Sequence, residues 1–460
     1  ALTTEDTGSE TVAIGRSALF TQNAGTVDAY NVAVGSAAGR LVTTGLHNTL
    51  IGGLAGDALT DADENVAVGL GALTADTLGS HTVAIGRGAL EAQNFTSATD
   101  SNNTAVGTFA GRAVTTGIKN NLIGAESGDA LTVGTRNVAL GTQALSSDTK
   151  GSRSVAVGQG ALFTQNFTSA TDTYNTAVGY EAGVSVTTGV QNTLLGALAG
   201  DALTDADFNV AVGYLALTAD TLGSRSVGIG YGALQSQNFT SATNSQTVAV
   251  GFKAGEAVTT GVNNTLLGAF AGDDITTGSG NTLIGASATA SRVAASAQAV
   301  LGQSVVCVGD SNFTFGLGTS DSNIANGATS ISAPSDQRYK EEIADATAGL
   351  SFIKDLRPVT FKWKKEKDLP TSHRAYVEGS ETRTMNDYTN HGFIAQEVKT
   401  AIDAHSEIKD GFDMWCTDNQ DDGGRQRIAD GALVPMLVKS LQELSAKNDA
   451  LAVRITTLEG

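Results

Sequence analysis

A ladder of glycines runs through most of this chain and leaves few folds open to it. A short phrase recurs: an apolar residue, then Ala, Thr or Leu, a second apolar residue, then Gly. It reads Val-Ala-Ile-Gly at 12–15, Val-Ala-Val-Gly at 32–35 and Thr-Leu-Ile-Gly at 49–52. The phrase glycines fall at 15, 35, 52, 69, 86, 107, 124, 141, 158, 179, 196, 213, 230, 251, 268, 285 and 302. After a first step of 20, the spacing reads 17, 17, 17, 21 three times, then 17, 17, 17. The result is a 72-residue super-repeat of four short units, one of which carries four extra residues. Whole copies agree: Asp57-Ala-Leu-Thr-Asp-Ala-Asp63 returns at 201–207, and Gln93-Asn-Phe-Thr-Ser-Ala-Thr99 returns at 165–171 and 237–243.

A 17-residue unit is too short for a helix pair, which needs over about 30 residues. It suits one coil of a β-solenoid. Val, Ile and Thr alternate as in a short strand. The glycine allows a tight corner that other residues resist, and Ser, Thr, Asn and Asp fill the links. Coils stacked at strand spacing, about 4.8 Å apart, predict a rod of roughly 80 Å. One such coil buries little, so stability must come from stacked neighbours. Apolar residues also occupy both strand parities, as in Thr193-Leu-Leu-Gly196. That pattern fits strands covered on both faces, and an identical chain is the simplest second cover. The expectation is a three-fold bundle.

Composition shows where the rod stops. Residues 1–334 hold 47 of the 55 Gly, no Trp and no Met; residues 335–460 hold both Trp and all three Met. The first part carries 11 basic and 25 acidic side chains (net −14), the second 17 and 22 (net −5), for −19 in all. Such an acidic surface argues against nucleic-acid binding, which needs Lys and Arg clusters. No apolar run is long enough for a membrane span, and the first residues do not read as a signal peptide. The start without Met points to a piece of a longer chain. Cys307 and Cys416 are too few for a disulfide framework or a zinc site; they read as unpaired. No cofactor and no metal is expected. The acidic turns (Asp57, Asp61, Asp63; Asp129; Asp201, Asp205, Asp207; Asp273, Asp274) lack the nonapeptide of calcium β-rolls and read as solvated. The polar loop with Asp418, Asp421, Asp422 and Gly423-Gly424 is a weak metal candidate. Asn-Phe-Thr at 94, 166 and 238 reads as repeat chemistry rather than a glycosylation site.

The rod resembles the head repeats of trimeric autotransporter adhesins, which are coils of a parallel β-roll trimer. Asn31-Val-Ala-Val-Gly35, Asn65-Val-Ala-Val-Gly69 and Ser154-Val-Ala-Val-Gly158 carry the likeness, over about 290 residues. The 17-residue coil departs from that family's shorter one, and no anchor follows. The period fades over 303–334, which reads as a β-rich neck.

At Ser335 the chain turns Lys- and Glu-rich. Gly349-Leu-Ser-Phe-Ile-Lys-Asp-Leu-Arg-Pro358 predicts a helix and a break, and Val359, Phe361 and Trp363 alternate with polar residues as a strand. His391-Gly-Phe-Ile-Ala-Gln-Glu-Val398 leads into a second helix. At the end, Leu437, Leu441, Leu444, Asn448, Leu451, Ile455 and Leu458 step by 4 and 3, a heptad seam with one polar register-setting Asn. That seam predicts a parallel coiled coil over 433–460.

Four motifs in order resemble the C-terminal intramolecular chaperone autoprotease of phage tail spikes and fibres, the endosialidase type. They are Ser335-Asp336-x-x-x-Lys340, Gly349-Leu350 with Leu356-x-Pro-Val-x-Phe-x-Trp363, Gly392-Phe-Ile-Ala-Gln-Glu-Val398, and Leu433-Val-Pro-Met-Leu-Val-Lys-Ser-Leu441. The resemblance implies a domain that trimerises, templates the β-fibre upstream and then cuts itself away. Carried onto this chain, the scissile bond is Pro334–Ser335, Ser335 is the nucleophile and Lys340 the general base. A lysine takes that role when burial or nearby charge favours its neutral form. Asp336 would orient the loop. His391 is the candidate histidine, with His373 and His405 as competitors.

The expected architecture is therefore mainly β: a trimeric parallel β-solenoid (1–302), a neck (303–334) and a small α+β chaperone domain (335–460) ending in a trimeric coiled coil. The function it implies is a phage tail fibre segment that binds a host cell-surface receptor, a glycan or outer-membrane component, and joins other virion tail proteins. Such a fibre would fold in the host cytoplasm, without membrane insertion. A polysaccharide-degrading tail spike and a bacterial surface adhesin are the alternatives. Few aromatics in the rod weigh against the first, and the missing anchor against the second.

Overall fold

The structure, a computed structural model, describes residues 10–328, 330–371, 373, 375–410, 412–417 and 426–459. The chain divides into two compact units, with the boundary between Pro334 and Ser335.

The first unit is the β-solenoid. Each glycine phrase supplies one three-residue strand, from Val12–Ile14 to Ala299–Leu301, and each strand pairs in parallel with the next in unshifted register. Ala33 faces Leu50, which faces Ala67. These middle residues are buried, as are Ala and Leu of the following turn, and they merge into one core running from Ala18 to Cys307. The outer two residues of each strand stay half-buried or exposed: Ile51, Ile85, Ile123 and Leu195 all lie near two-fifths exposed. Within one chain the strands are therefore covered on one face; along the other run an apolar column, from the third residue of each strand, and a mixed column of Val and Thr from the first. The ladder closes on a hairpin, Asn312–Leu317 and Ser320–Ala325, whose first strand pairs in parallel with Ala299–Leu301.

The phrase glycine matters for clearance as much as for turning. At Gly141 φ is +139°, and an added Cβ would sit 2.5 Å from the carbonyl oxygen of Gly158 in the next coil. The same contact repeats up the stack, so glycine is required where coil rests on coil.

A buried polar column runs beside the strands. Asn48 donates its backbone N–H to Oδ1 of Asn31 at 2.8 Å, and its Nδ2 donates to the Ala62 carbonyl at 2.8 Å. Asn65, Asn120, Asn137 and Asn209 repeat the arrangement. Each asparagine side chain satisfies one buried N–H and one carbonyl of the following coil, groups that are costly to leave unpaired. The residue before this column is left-handed: Tyr30, His47, Glu64, His81, Asn102 and Lys119 have φ of +49° to +61°. Nothing in the side chains of Tyr30, Glu64 and Lys119 favours that region, whereas Asn102 and the two histidines tolerate it better. The inter-coil bond holds them there, as in Lys119 N–H to the Ser101 carbonyl at 2.8 Å.

The four-residue insertions form small two-strand pairs, such as Gly79–Ser80 with Thr99–Asp100. Beneath each lies a buried aspartate: Asp76, Asp148 and Asp220. Asp76 Oδ2 accepts from Gln93 Nε2 at 2.6 Å, and its Oδ1 accepts from the N–H of Gly79 and of Phe95.

The acidic turns differ from the solvated loops expected of them. Asp63 accepts the N–H of Leu46 at 2.7 Å, Asp205 the hydroxyl of Thr188 at 2.6 Å, and Asp129 that of Ser146 at 2.5 Å. Each partner lies 17 residues away, one coil off. These carboxylates brace neighbouring coils because the repeat places a donor beside them.

Candidate functional site

The second unit is built around helices α1 (Leu350–Asp355), α2 (Ala395–Ala404) and α3 (Leu433–Glu459). Strand Val359–Phe361 pairs antiparallel with Asn390–Gly392, and Trp415–Thr417 with Gln426–Ile428. The core gathers Phe352, Leu356, Val398, Ile402, Met414 and Leu433. Phe352 is fully buried, with Phe412 and His405 edge-on to its ring at 5.6 and 5.5 Å.

The spaced motifs are physically joined. Gly349 begins α1 without a side-chain cap of its own, and Glu443 of α3 accepts the N–H of Leu350 at 3.0 Å in its place. A Cβ on Gly349 would lie 2.6 Å from that carboxylate, so the glycine makes room for the cap. Arg357 grips Glu397 through two hydrogen bonds, one of 2.8 Å, tying the Leu-Arg-Pro motif to the Gln-Glu-Val helix. His405 bridges Asp355 at 2.8 Å and Glu407 at 3.2 Å.

Ser335 opens this unit. Asp336 caps a short 3-10 turn, Gln337–Tyr339, and its Oδ1 accepts the N–H of Arg338 at 2.9 Å. Lys340 ends the turn, its N–H bonded to the Gln337 carbonyl at 3.0 Å. The turn reverses the chain, and Lys340 Nζ comes to 2.7 Å from Ser335 Oγ. Both residues are exposed in the single chain. Arg338 pairs with Asp336 Oδ2 through Nε at 3.0 Å and a terminal nitrogen at 2.5 Å. That pairing, with the backbone bond, holds the Asp336 carboxyl below its ordinary range.

The three histidines part company here. His391 lies on strand Asn390–Gly392 opposite Thr360, exposed, and among the described residues no hydrogen bond links it to Ser335 or Lys340. His373 accepts the N–H of Ala375 and borders a groove lined by Trp363, Leu369 and Met385. His405 is committed to its two carboxylates. Their hydrogen bonds, that of Asp355 foremost, raise its pKa. The structure thus joins serine to lysine and brings no histidine to them.

Of the seam, Leu437, Leu441, Leu444, Leu451, Ile455 and Leu458 are all exposed on α3, as is Asn448. Cys307 is buried, with Thr314 at 3.5 Å, and Cys416 is exposed; neither is bridged. No group of acidic, His or Cys side chains among the described residues is arranged for a metal ion. Asp418, Asp421, Asp422, Gly423 and Gly424 lie outside the described residues. No helix among the described residues is long and apolar enough to cross a membrane.

The sequence missed Glu443 and Arg338. Glu443 lies 93 residues from the N–H it caps. Arg338 sits inside the Ser-Asp-x-x-x-Lys motif, where its alternation of charge with Asp336 was the available signal.

A long parallel solenoid followed by a small helical unit that opens on a Ser–Lys pair defines a class of fibrous protein with a C-terminal folding module. The peptidase family described as the chaperone of endosialidase matches residues 335–406. With the solenoid upstream, that match fits a tail fibre or spike carrying a C-terminal chaperone. No curated protein and no solved structure matches the chain.

Proposed function

We propose that this chain is a host-recognition segment of a phage tail fibre, a homotrimer whose C-terminal unit gathers three chains and then cuts itself off at Pro334–Ser335. The observation that carries the cleavage is the 2.7 Å approach of Lys340 Nζ to Ser335 Oγ, at the junction of the two units. Lys340, as the free amine, takes the Ser335 hydroxyl proton while Oγ attacks the Pro334 carbonyl carbon. The proton passes to the Ser335 nitrogen as the C–N bond breaks, leaving an ester. Water then hydrolyses the ester to a Pro334 carboxylate and a free Ser335. A lysine base calls for burial, and the single chain leaves the pair exposed, so assembly would complete the site.

Two surfaces support association. The α3 seam exposes a leucine in almost every turn, and the shaft exposes the apolar column formed by the third residue of its strands, Ile51, Ile85, Ile123 and Leu195 among them. Parallel strands paired in register tolerate no one-residue slip, and joining the C-termini raises the local concentration of chains in register. Removing the template afterwards leaves the shaft held by its unfolding barrier.

A denaturing gel of the full chain against Ser335→Ala and Lys340→Ala tests the reading. Wild type should give pieces of 334 and 126 residues, and each variant one band near 46.7 kDa. A whole wild-type chain, or cleavage that survives both substitutions, overturns it. Sedimentation of the Ser335→Ala protein should give three times the chain mass.

A further inference from the structure

We propose that Arg338 is a positioning residue for the Ser–Lys pair: it occupies the Asp336 carboxylate and so leaves Lys340 to Ser335. The inference rests on the self-cleavage reading above.

The geometry makes the case in three steps. The segment Ser335–Lys340 is a single tight turn, so one carboxylate, Asp336, is built into the same loop as the nucleophile and the base. Both of its oxygens are taken, Oδ1 by the Arg338 N–H at 2.9 Å and Oδ2 by the Arg338 guanidinium at 3.0 and 2.5 Å. Lys340 then finds its partner in the neutral hydroxyl of Ser335, and among the described residues it forms no ion pair with any carboxylate.

This matters because a general base must be unprotonated to act. An ammonium paired with a carboxylate keeps its proton and points away from Oγ. The planar guanidinium fork suits the task, since it covers a carboxylate at two points where a lysine offers one. The other charged groups along the segment are Glu341, Glu342 and Asp345, which follow Lys340 and are exposed. Asp336 alone is placed by the turn itself. A purely structural reading assigns Arg338 only the stiffness of the turn, which the Asp336 side-chain cap to the Arg338 backbone already provides without the guanidinium.

The test follows self-cleavage of the full chain after cell-free synthesis, from pH 6 to 9, in wild type, Arg338→Ala, Arg338→Lys and the double variant Asp336→Asn/Arg338→Ala. Freeing the carboxylate should slow Arg338→Ala about tenfold near neutrality, because a lysine drawn to that carboxylate keeps its proton and leaves Oγ. It should also move the pH–rate profile to higher pH, with the rate recovering toward pH 9. Arg338→Lys should fall between. The double variant, which has no carboxylate to sequester, should return toward the wild-type profile. A uniform loss at every pH that the double variant does not repair overturns the proposal in favour of turn stiffness. An Arg338→Ala rate equal to wild type overturns it as well. In both cases the Ser–Lys reading stands, whereas a wild-type chain that stays whole removes both.

Discussion

The two units are held by contacts of opposite range. In the shaft, polar side chains bond 14, 17 or 19 residues away, coil to adjacent coil, over and over. In the C-terminal unit the decisive bonds span 40, 50 and 93 residues and occur once each. A repeat array therefore spreads its stability over equal rungs, each depending on its neighbours. The small unit concentrates it in a few contacts around Phe352. Under the self-cleavage proposed above, this suits a shaft that must outlast the part that assembles it.

The sharpest way to break the comparison is a methyl group on one rung. Gly141→Ala puts Cβ against the Gly158 carbonyl at a φ of +139° and should cost about 3–5 kcal/mol. Gly431→Ala in the second unit meets nothing within 4 Å and should be near neutral. Chemical denaturation of each variant reads the difference; equal midpoints would contradict the stacked-glycine argument.

Next, Asn137→Ala orphans the buried N–H of Ser154 and the carbonyl of Gly151, each bonded at 2.9 Å. The expected loss is about 2–4 kcal/mol for two unpaired groups. Hydrogen exchange should rise at the rungs on either side and stay unchanged several coils away.

Acid should separate the units. Burial raises the pKa of Asp148, Asp201, Asp273 and Asp274 in the shaft. A carboxyl that is raised in the folded state binds its proton more readily folded than unfolded, so these groups favour the fold as pH falls through their raised values. In the second unit the signs reverse. Lys365 and Lys367 hold Glu381 at about 2, Arg357 lowers Glu397, and the bonds at Glu407 lower it too. Their contribution is present above the ordinary carboxylate range and lost as pH falls through the lowered values. His405 adds a contribution present below its ordinary value and lost as pH rises through its raised one. Circular dichroism from pH 5 to 2 should show the helices of Ser335→Ala protein melting before the strands, and a shaft that melts first would refute the assignment.

Smaller effects sharpen the contrast. Glu443→Ala removes the cap on α1 and should lower the melting of the second unit alone, by about 1 kcal/mol. In the shaft, Lys119→Gly relieves a left-handed residue at φ +61° and should stabilise by about 0.5–1 kcal/mol. A loss there would mean the Lys119 side chain contributes to the coil.

Much of the shaft was legible in the residues alone. When every contact recurs at a fixed offset, the period of the sequence is the period of the structure, so strand position and strand-on-strand stacking follow from counting glycines, while the break near Ser335 showed in the change of composition. The Ser335–Lys340 pair came from the family resemblance, since a Ser followed five residues later by a Lys is on its own an ordinary loop start; the structure adds that one turn brings the two side chains together. Tertiary structure decided the rest. It assigned the asparagines to a buried column and turned the acidic loops into inter-coil braces. It also forced residues as unsuited as Glu64 and Lys119 into left-handed geometry, and seated Glu443 on Gly349. Local residue chemistry was silent on these because each is settled by a partner one coil or one helix away, and a buried donor left without that partner would cost more than the strain it accepts.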